Sequence, residues 1–93
     1  MDTQNDMVRA DHEMLADLRR GRAVVGVKQL KKALASGKAV RVFLAEDADP
    51  ALTDPIADLC RQSHIECAWV PSMKDLGIAC GIDVGAAAAA TII

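Results

Sequence analysis

The pattern of the chain predicts an α/β sandwich, on three observations. Short apolar strands alternate with amphipathic helical stretches, which favours a sheet covered by helices. The strand at residues 40–45 is apolar almost throughout, as a strand covered on both faces must be. The alanine-rich end, residues 86–93, would suit the centre of such a sheet, where small side chains let helices press close. The same end is also compatible with helix, since five alanines favour helix while Thr91-Ile92-Ile93 favours strand. No repeat or linker interrupts the 93 residues. They are expected to form a single domain over 10–93 after a polar, flexible stretch at 1–9.

The elements follow in order. Ala10, Met14, Leu15 and Leu18 line one side of a helix over residues 10–20, with Arg19 and Arg20 in its last turn and Gly21 as its stop. Ala23-Val24-Val25 is a short strand. A lysine-rich helix over 27–36 comes next and closes at Gly37. The strand 40–45 leads into the turn-rich loop Glu46-Asp47-Ala48-Asp49-Pro50. Asp54, with Pro55 after it, predicts the start of a further helix with Ile56, Leu59 and Cys60 as its buried stripe. Residues 65–70 are a strand. Ser72 caps a short helix to about residue 79, and Gly81-Ile82-Asp83-Val84-Gly85 is a glycine-bracketed loop.

Apolar residues make up 52% and charged residues 26%, the balance of an ordinary soluble globular domain. No apolar run reaches transmembrane length, and the N-terminus is polar and acidic rather than signal-like, so the expected location is cytoplasmic, without a membrane partner. The chain carries 11 Lys and Arg against 13 Asp and Glu. Yet Arg19, Arg20, Arg22, Lys28, Lys31, Lys32, Lys38 and Arg41 lie in a stretch, residues 18–45, that contains no acid. Such an asymmetry indicates a defined polyanion site rather than a general nucleic-acid coat.

The centre of that stretch is Gly26-Val27-Lys28-Gln29-Leu30-Lys31-Lys32. At 100° per residue, Val27, Leu30 and Leu34 share the core face, while Lys28, Gln29 and Lys32 project on the other. Backbone N–H groups and the dipole at a helix start favour anions, and Gly26 carries no side chain to obstruct them. A solvated lysine face is the plain alternative.

Other constellations are weaker. Gly21-x4-Gly26-Val27-Lys28 misses a phosphate-binding loop: the lysine is one place late, no Ser or Thr follows it, and the intervening residues read as strand. Cys60, His64, Cys67 and Cys80 match no zinc spacing, and their odd cysteine count argues against a disulfide framework. No metal or other cofactor is expected. His12 and His64 lack an obvious nucleophile partner, so no catalytic residue is assigned. Asp47 and Asp49 at a strand end could serve acid–base or metal chemistry, but a turn that caps nearby backbone is the simpler reading. Ile82 and Val84 either tuck into the core or form an apolar pad for a splayed base. With Phe43 and Trp69 the only aromatics, recognition by aromatic stacking platforms is disfavoured.

Four motifs stand in order at suitable spacing: Gly26-Val27-Lys28-Gln29-x-x-Lys32-Ala33-Leu34, Ala45-Glu46-Asp47-Ala48-Asp49-Pro50, Leu59-Cys60, and Leu76-Gly77-x-Ala79-Cys80-Gly81-Ile82-Asp83-Val84-Gly85-Ala86-Ala87. Together they resemble the kink-turn RNA-binding ribosomal proteins, the seven-Ae and thirty-e superfamily of the large subunit, and most of all its small bacterial members. The resemblance spans residues 10–93. It implies a three-layer α/β/α sandwich with a mixed four-stranded sheet whose last strand is antiparallel and internal. It implies an RNA partner, a bent helix with a bulge flanked by tandem sheared G·A pairs. By position, Gly26, Lys28, Gln29 and Lys32 would meet the opened groove. Asp49, Ile82, Asp83 and Val84 would cradle the flipped-out bulge nucleotide. Lys28-Gln29 stands where archaeal and eukaryotic relatives carry Asn-Glu, and Met73 where they often carry lysine.

The function expected is therefore a non-enzymatic RNA-binding protein, ribosomal or ribosome-associated, that recognises kink-turns and is a monomer without RNA. A general structured-RNA binder and a protein-interaction module docking through Ile82 and Val84 are the alternatives; a small-molecule enzyme is disfavoured by the missing nucleophile–base pair.

Overall fold

Alternate residues of the strand at 39–45 point to opposite sides of the sheet, and that alternation builds two cores. The computed structural model describes residues 8–93. In chain order the elements are β1 (Val8–Arg9), α1 (His12–Arg20), β2 (Arg22–Val25), α2 (Val27–Ala35), β3 (Ala39–Ala45), α3 (Pro50–Ser63), β4 (Glu66–Val70), α4 (Met73–Cys80) and β5 (Ala88–Ile92). Phe43 and Ala45 pack with Leu18 of α1 and Leu76 of α4, while Val42 and Leu44 pack with Leu30 of α2 and with Ile56 and Cys60 of α3. Two helices therefore cover each face, giving the expected α/β/α layers.

The sheet order is β1-β4-β3-β5-β2. β3 pairs parallel with β4 and antiparallel with β5, and β5 pairs antiparallel with β2. The alanine-rich end is thus the internal antiparallel strand that the resemblance implied. Its alanines explain the choice. Ala89 faces one core and Ala88 and Ala90 the other, all fully buried, so both helix layers approach a strand with almost no side-chain bulk. Burial between two layers overrides the helix propensity of alanine.

Three details differ from expectation. A fifth strand joins the sheet: Val8 and Arg9, in the stretch expected to be flexible, pair in parallel with Ala68 and Trp69 of β4. The other residues of that stretch, 1–7, lie outside the described residues. This short pairing covers part of the β4 edge, which would otherwise present unpaired backbone groups.

Second, α3 starts at Pro50 rather than at Pro55. Asp49-Pro50 and Asp54-Pro55 carry the same start signal, and the first prevails: Asp49 Oδ1 accepts from the Ala51 N–H at 2.9 Å, with Pro50 in the opening turn. The extra turn buries Thr53 at 3% exposure. Pro55 inside the helix leaves a carbonyl one turn earlier without its usual donor, at the exposed Ala51, where water can serve it. Third, Leu59 is not in the buried stripe but 38% exposed. With Thr53, Ile56 and Cys60 defining the stripe, Leu59 falls on its flank.

Candidate nucleic-acid interface

The carboxyl ends of β2, β3 and β4 lie at one end of the sheet, together with the amino end of β5, because β5 runs against its neighbours. Loops at the carboxyl ends of strands are where α/β sheets hold ligands. Backbone hydrogen bonds tie three segments to residues 86–88 here. The Gly26 N–H at the start of α2 donates to the Ala88 carbonyl at 2.9 Å. At the end of β3, the Ala45 N–H donates to the Ala87 carbonyl at 3.0 Å. The Ala86 N–H donates to the Met73 carbonyl at 3.0 Å, joining the loop at residues 81–87 to α4.

Of the described helices, α2 alone begins without a side-chain cap. Asp11, Asp49 and Ser72 each accept from a backbone N–H in the first turn of α1, α3 and α4. At α2 the cap residue is Gly26, no acid occupies the first turn, and the Leu30 N–H closes the first helical bond at 3.0 Å. The N–H groups of Val27, Lys28 and Gln29 stay open to a ligand. Gly26 has φ +104°, which an L-side chain rarely adopts, and a Cβ there would meet nothing within 4 Å. Glycine is thus demanded by the backbone angle, while the space beside it is open.

Lys28, Gln29, Lys31 and Lys32 are all exposed, while Leu30 is fully buried. None of these lysines forms an ion pair with a described residue. Two arginines of the basic stretch are different. Arg41 bonds Glu66 at 2.6 Å and reaches Asp17, and Arg20 bonds Asp17 at 2.8 Å. Acids from outside the stretch neutralise those two arginines, while the α2 lysines, with Arg19, Arg22 and Lys38, pair with no described acid.

The loop residues divide. Val84 is 69% exposed, whereas Ile82 is half-buried against the core beneath α1 and α4. Asp83 is exposed. The loop between the two glycines lies across α4. The Ile82 N–H donates to the Gly77 carbonyl at 3.1 Å, and a Cβ at Gly77 would overlap the Val84 carbonyl oxygen. The backbone is seated while the Val84 side chain projects.

Asp49 is exposed, and one carboxylate oxygen caps α3 as described above. Asp47, which the turn pattern suggests as a local cap, instead accepts from the distant Met73 N–H through Oδ1 at 2.8 Å. No local pattern announces that bond, because its partners are 26 residues apart. Gly77, which admits the Val84 carbonyl, was likewise visible only as part of a motif.

The cysteines are part of the packing. Cys60 lies within the α2–α3 core with Cys67 packed against it, whereas Cys80 packs on the opposite side of the sheet. Cys67 is shifted upward by its hydrogen bond with Cys60 and by burial, and burial also raises Cys80. His64 is the C-cap of α3 in the left-handed region, at φ 57°. Among the described residues, no group of three or more His, Cys, Asp or Glu side chains is arranged to hold a metal ion, and no helix is long and apolar enough to cross a membrane.

Comparison with known proteins gives a consistent result. The model of the ribosomal protein L7Ae/L30e/S12e/Gadd45 family matches residues 10–93. The chain is 48% identical over 75 residues to an RNA-binding protein of Geobacillus sp. strain WCH70, covering 81% of this chain and 92% of that one. It is 41% identical, with the same coverages, to the RNA-binding protein YbxF of Geobacillus stearothermophilus. In three dimensions it resembles the Giardia lamblia 15.5kD RNA binding protein with a TM-score of 0.83 at 23% identity, over 99% of this chain and 84% of that one.

Proposed function

Because the chain belongs to the ribosomal protein L7Ae/L30e/S12e/Gadd45 family, we propose that it recognises kink-turns within structured RNA as a ribosomal or ribosome-associated component. It is a non-enzymatic RNA-binding protein, in keeping with the family and with relatives that carry that name. The free protein acts as a cytoplasmic monomer in this reading.

The observation that carries the proposal is the uncapped start of α2 at the same end of the sheet as the loop that exposes Val84. An ordinary A-form major groove is too narrow for side chains, and a kink opens it to a helix end. The N–H groups of Val27, Lys28 and Gln29 then face phosphate oxygens at the positive end of the helix dipole. Lys28 and Lys32 donate to guanine O6 and N7, and Gln29 both donates and accepts at a base edge. Val84 covers the face of the flipped nucleotide, with Ile82 supporting the loop from below. Asp49 keeps one oxygen on the α3 cap and offers the other to a base N–H, and the exposed Asp83 adds a second acceptor from the loop that carries Val84.

The test compares a kink-turn with the same RNA in which the sheared G·A pairs are replaced by Watson–Crick pairs. The proposal expects at least about a tenfold preference, the cost of one good base-edge contact. Equal affinities would mean a general structured-RNA binder, and no binding to either would turn attention to a protein partner.

A further inference from the structure

Asp47 stands outside the residues assigned to the RNA, yet it joins two of the segments that form the interface. Its Oδ1 accepts from the Met73 N–H at 2.8 Å. The carbonyl of Met73 accepts in turn from the Ala86 N–H at 3.0 Å. Asp47 follows β3, Met73 opens α4, and Ala86 closes the loop that presents Val84. One carboxylate thus reaches the base-covering loop through the two sides of a single residue. Gly85 is pressed onto the same point, since a Cβ there would lie 3.1 Å from the Met73 Cβ. The cap residue of α4 is Ser72, whose hydroxyl serves the Asp75 N–H. The Met73 N–H is therefore left to Asp47, from another part of the chain.

We infer that Asp47 is a positioning residue. By fixing the first residue of α4, it fixes the height at which residues 82–85 carry Val84 relative to the neighbouring loop that holds Asp49. The effect on RNA is indirect: Asp47 adds negative charge to the site, which by itself opposes a polyanion. A net gain from this residue must therefore come through the loop. The RNA part of the inference rests on the kink-turn reading above, whereas the positioning part can be read without RNA.

The experiment uses the full chain and two variants, Asp47→Ala and Asp47→Asn, with urea midpoints recorded so that affinities are compared between folded samples. Without RNA, amide hydrogen exchange at Met73 and Ala86 should quicken by about tenfold in Asp47→Ala, the scale of one hydrogen bond. Asp47→Asn keeps an acceptor oxygen without the charge, and should restore most of the protection. Kink-turn affinity should fall by about tenfold in Asp47→Ala and recover in Asp47→Asn. The loss should shrink when the flipped nucleotide is abasic, and when Val84 is already serine.

Unchanged exchange at both amides would overturn the inference. So would a rise in affinity on removing the carboxylate, or an equal loss on intact and abasic RNA, which would mean that Asp47 meets the RNA itself. If the wild type shows no preference for kink-turns, the functional reading fails, and the exchange result still decides whether Asp47 positions the loop.

Discussion

Lys32 and Gln29 are exposed on the polar face of α2. Their replacement by alanine separates binding from folding. If each meets a base edge, Lys32→Ala and Gln29→Ala should each cost about 1–3 kcal/mol in kink-turn affinity. Circular dichroism should match the wild type, and full affinity in the double variant would remove this helix face from the interface. Ile82 and Val84 give a second contrast at the same scale. Ile82 is half-buried against the core, so Ile82→Ser should lower stability by about 1–3 kcal/mol in urea titrations. Val84 is mostly exposed, so Val84→Ser should leave the urea midpoint near that of the wild type. It should nevertheless weaken binding to RNA with an intact bulge, because apolar area removed from water is worth about 25 cal/mol per Å². Equal losses on intact and abasic RNA would show that Val84 does not touch the flipped base.

At the level of elements, α4 and the loop that follows it act as one unit. Gly77 is buried, and a Cβ there would run into the Val84 carbonyl, which is backbone and cannot rotate aside. Gly77→Ala should therefore displace the loop despite the better helix propensity of alanine. The expected result is lower kink-turn affinity with altered amide shifts concentrated at residues 82–86. A variant with wild-type shifts and affinity would show that the loop is not seated on α4. β5 carries the complementary constraint. Ala89 is fully buried beside Phe43, its cross-strand partner, on the face covered by α1 and α4. Ala89→Leu should overpack that layer and cost about 1–3 kcal/mol, read from the urea midpoint.

Across the whole molecule, the net charge of −2 conceals a divided surface. Arg20 and Arg41 are held by Asp17 and Glu66, whereas the α2 lysines pair with no described acid and can meet a polyanion. Only a limited set of phosphates can then be neutralised at once. The slope of log affinity against log salt should be shallow, roughly −2 to −4, as expected for about three to five phosphate contacts. A slope near zero would exclude the basic patch as an RNA surface, and a much steeper one would favour general binding over kink-turn recognition. The restricted patch also gives the fold its division of labour: one end of the sheet gathers the loops, while the helix layers hold them in place.

The α/β class, most element positions, the polar face of α2 and its glycine start were legible in the sequence, because they depend on periodicity and on local backbone chemistry. Val27, Leu30 and Leu34 against Lys28, Gln29 and Lys32 is a pattern that any helix at that position must display. Where two local signals were equal, the sequence could not choose. Asp49-Pro50 and Asp54-Pro55 each announce a helix start, and the burial of Thr53 accompanies the first. The alanine run fits helix or strand by propensity, and its place between two helix layers decided for strand. Only the tertiary structure separated Ile82 from Val84, joined Asp47 to Met73, and set Gly77 against the Val84 carbonyl. These relations join residues far apart in the chain, or depend on which neighbour fills a given space, and neither is encoded in the local spacing of side-chain types.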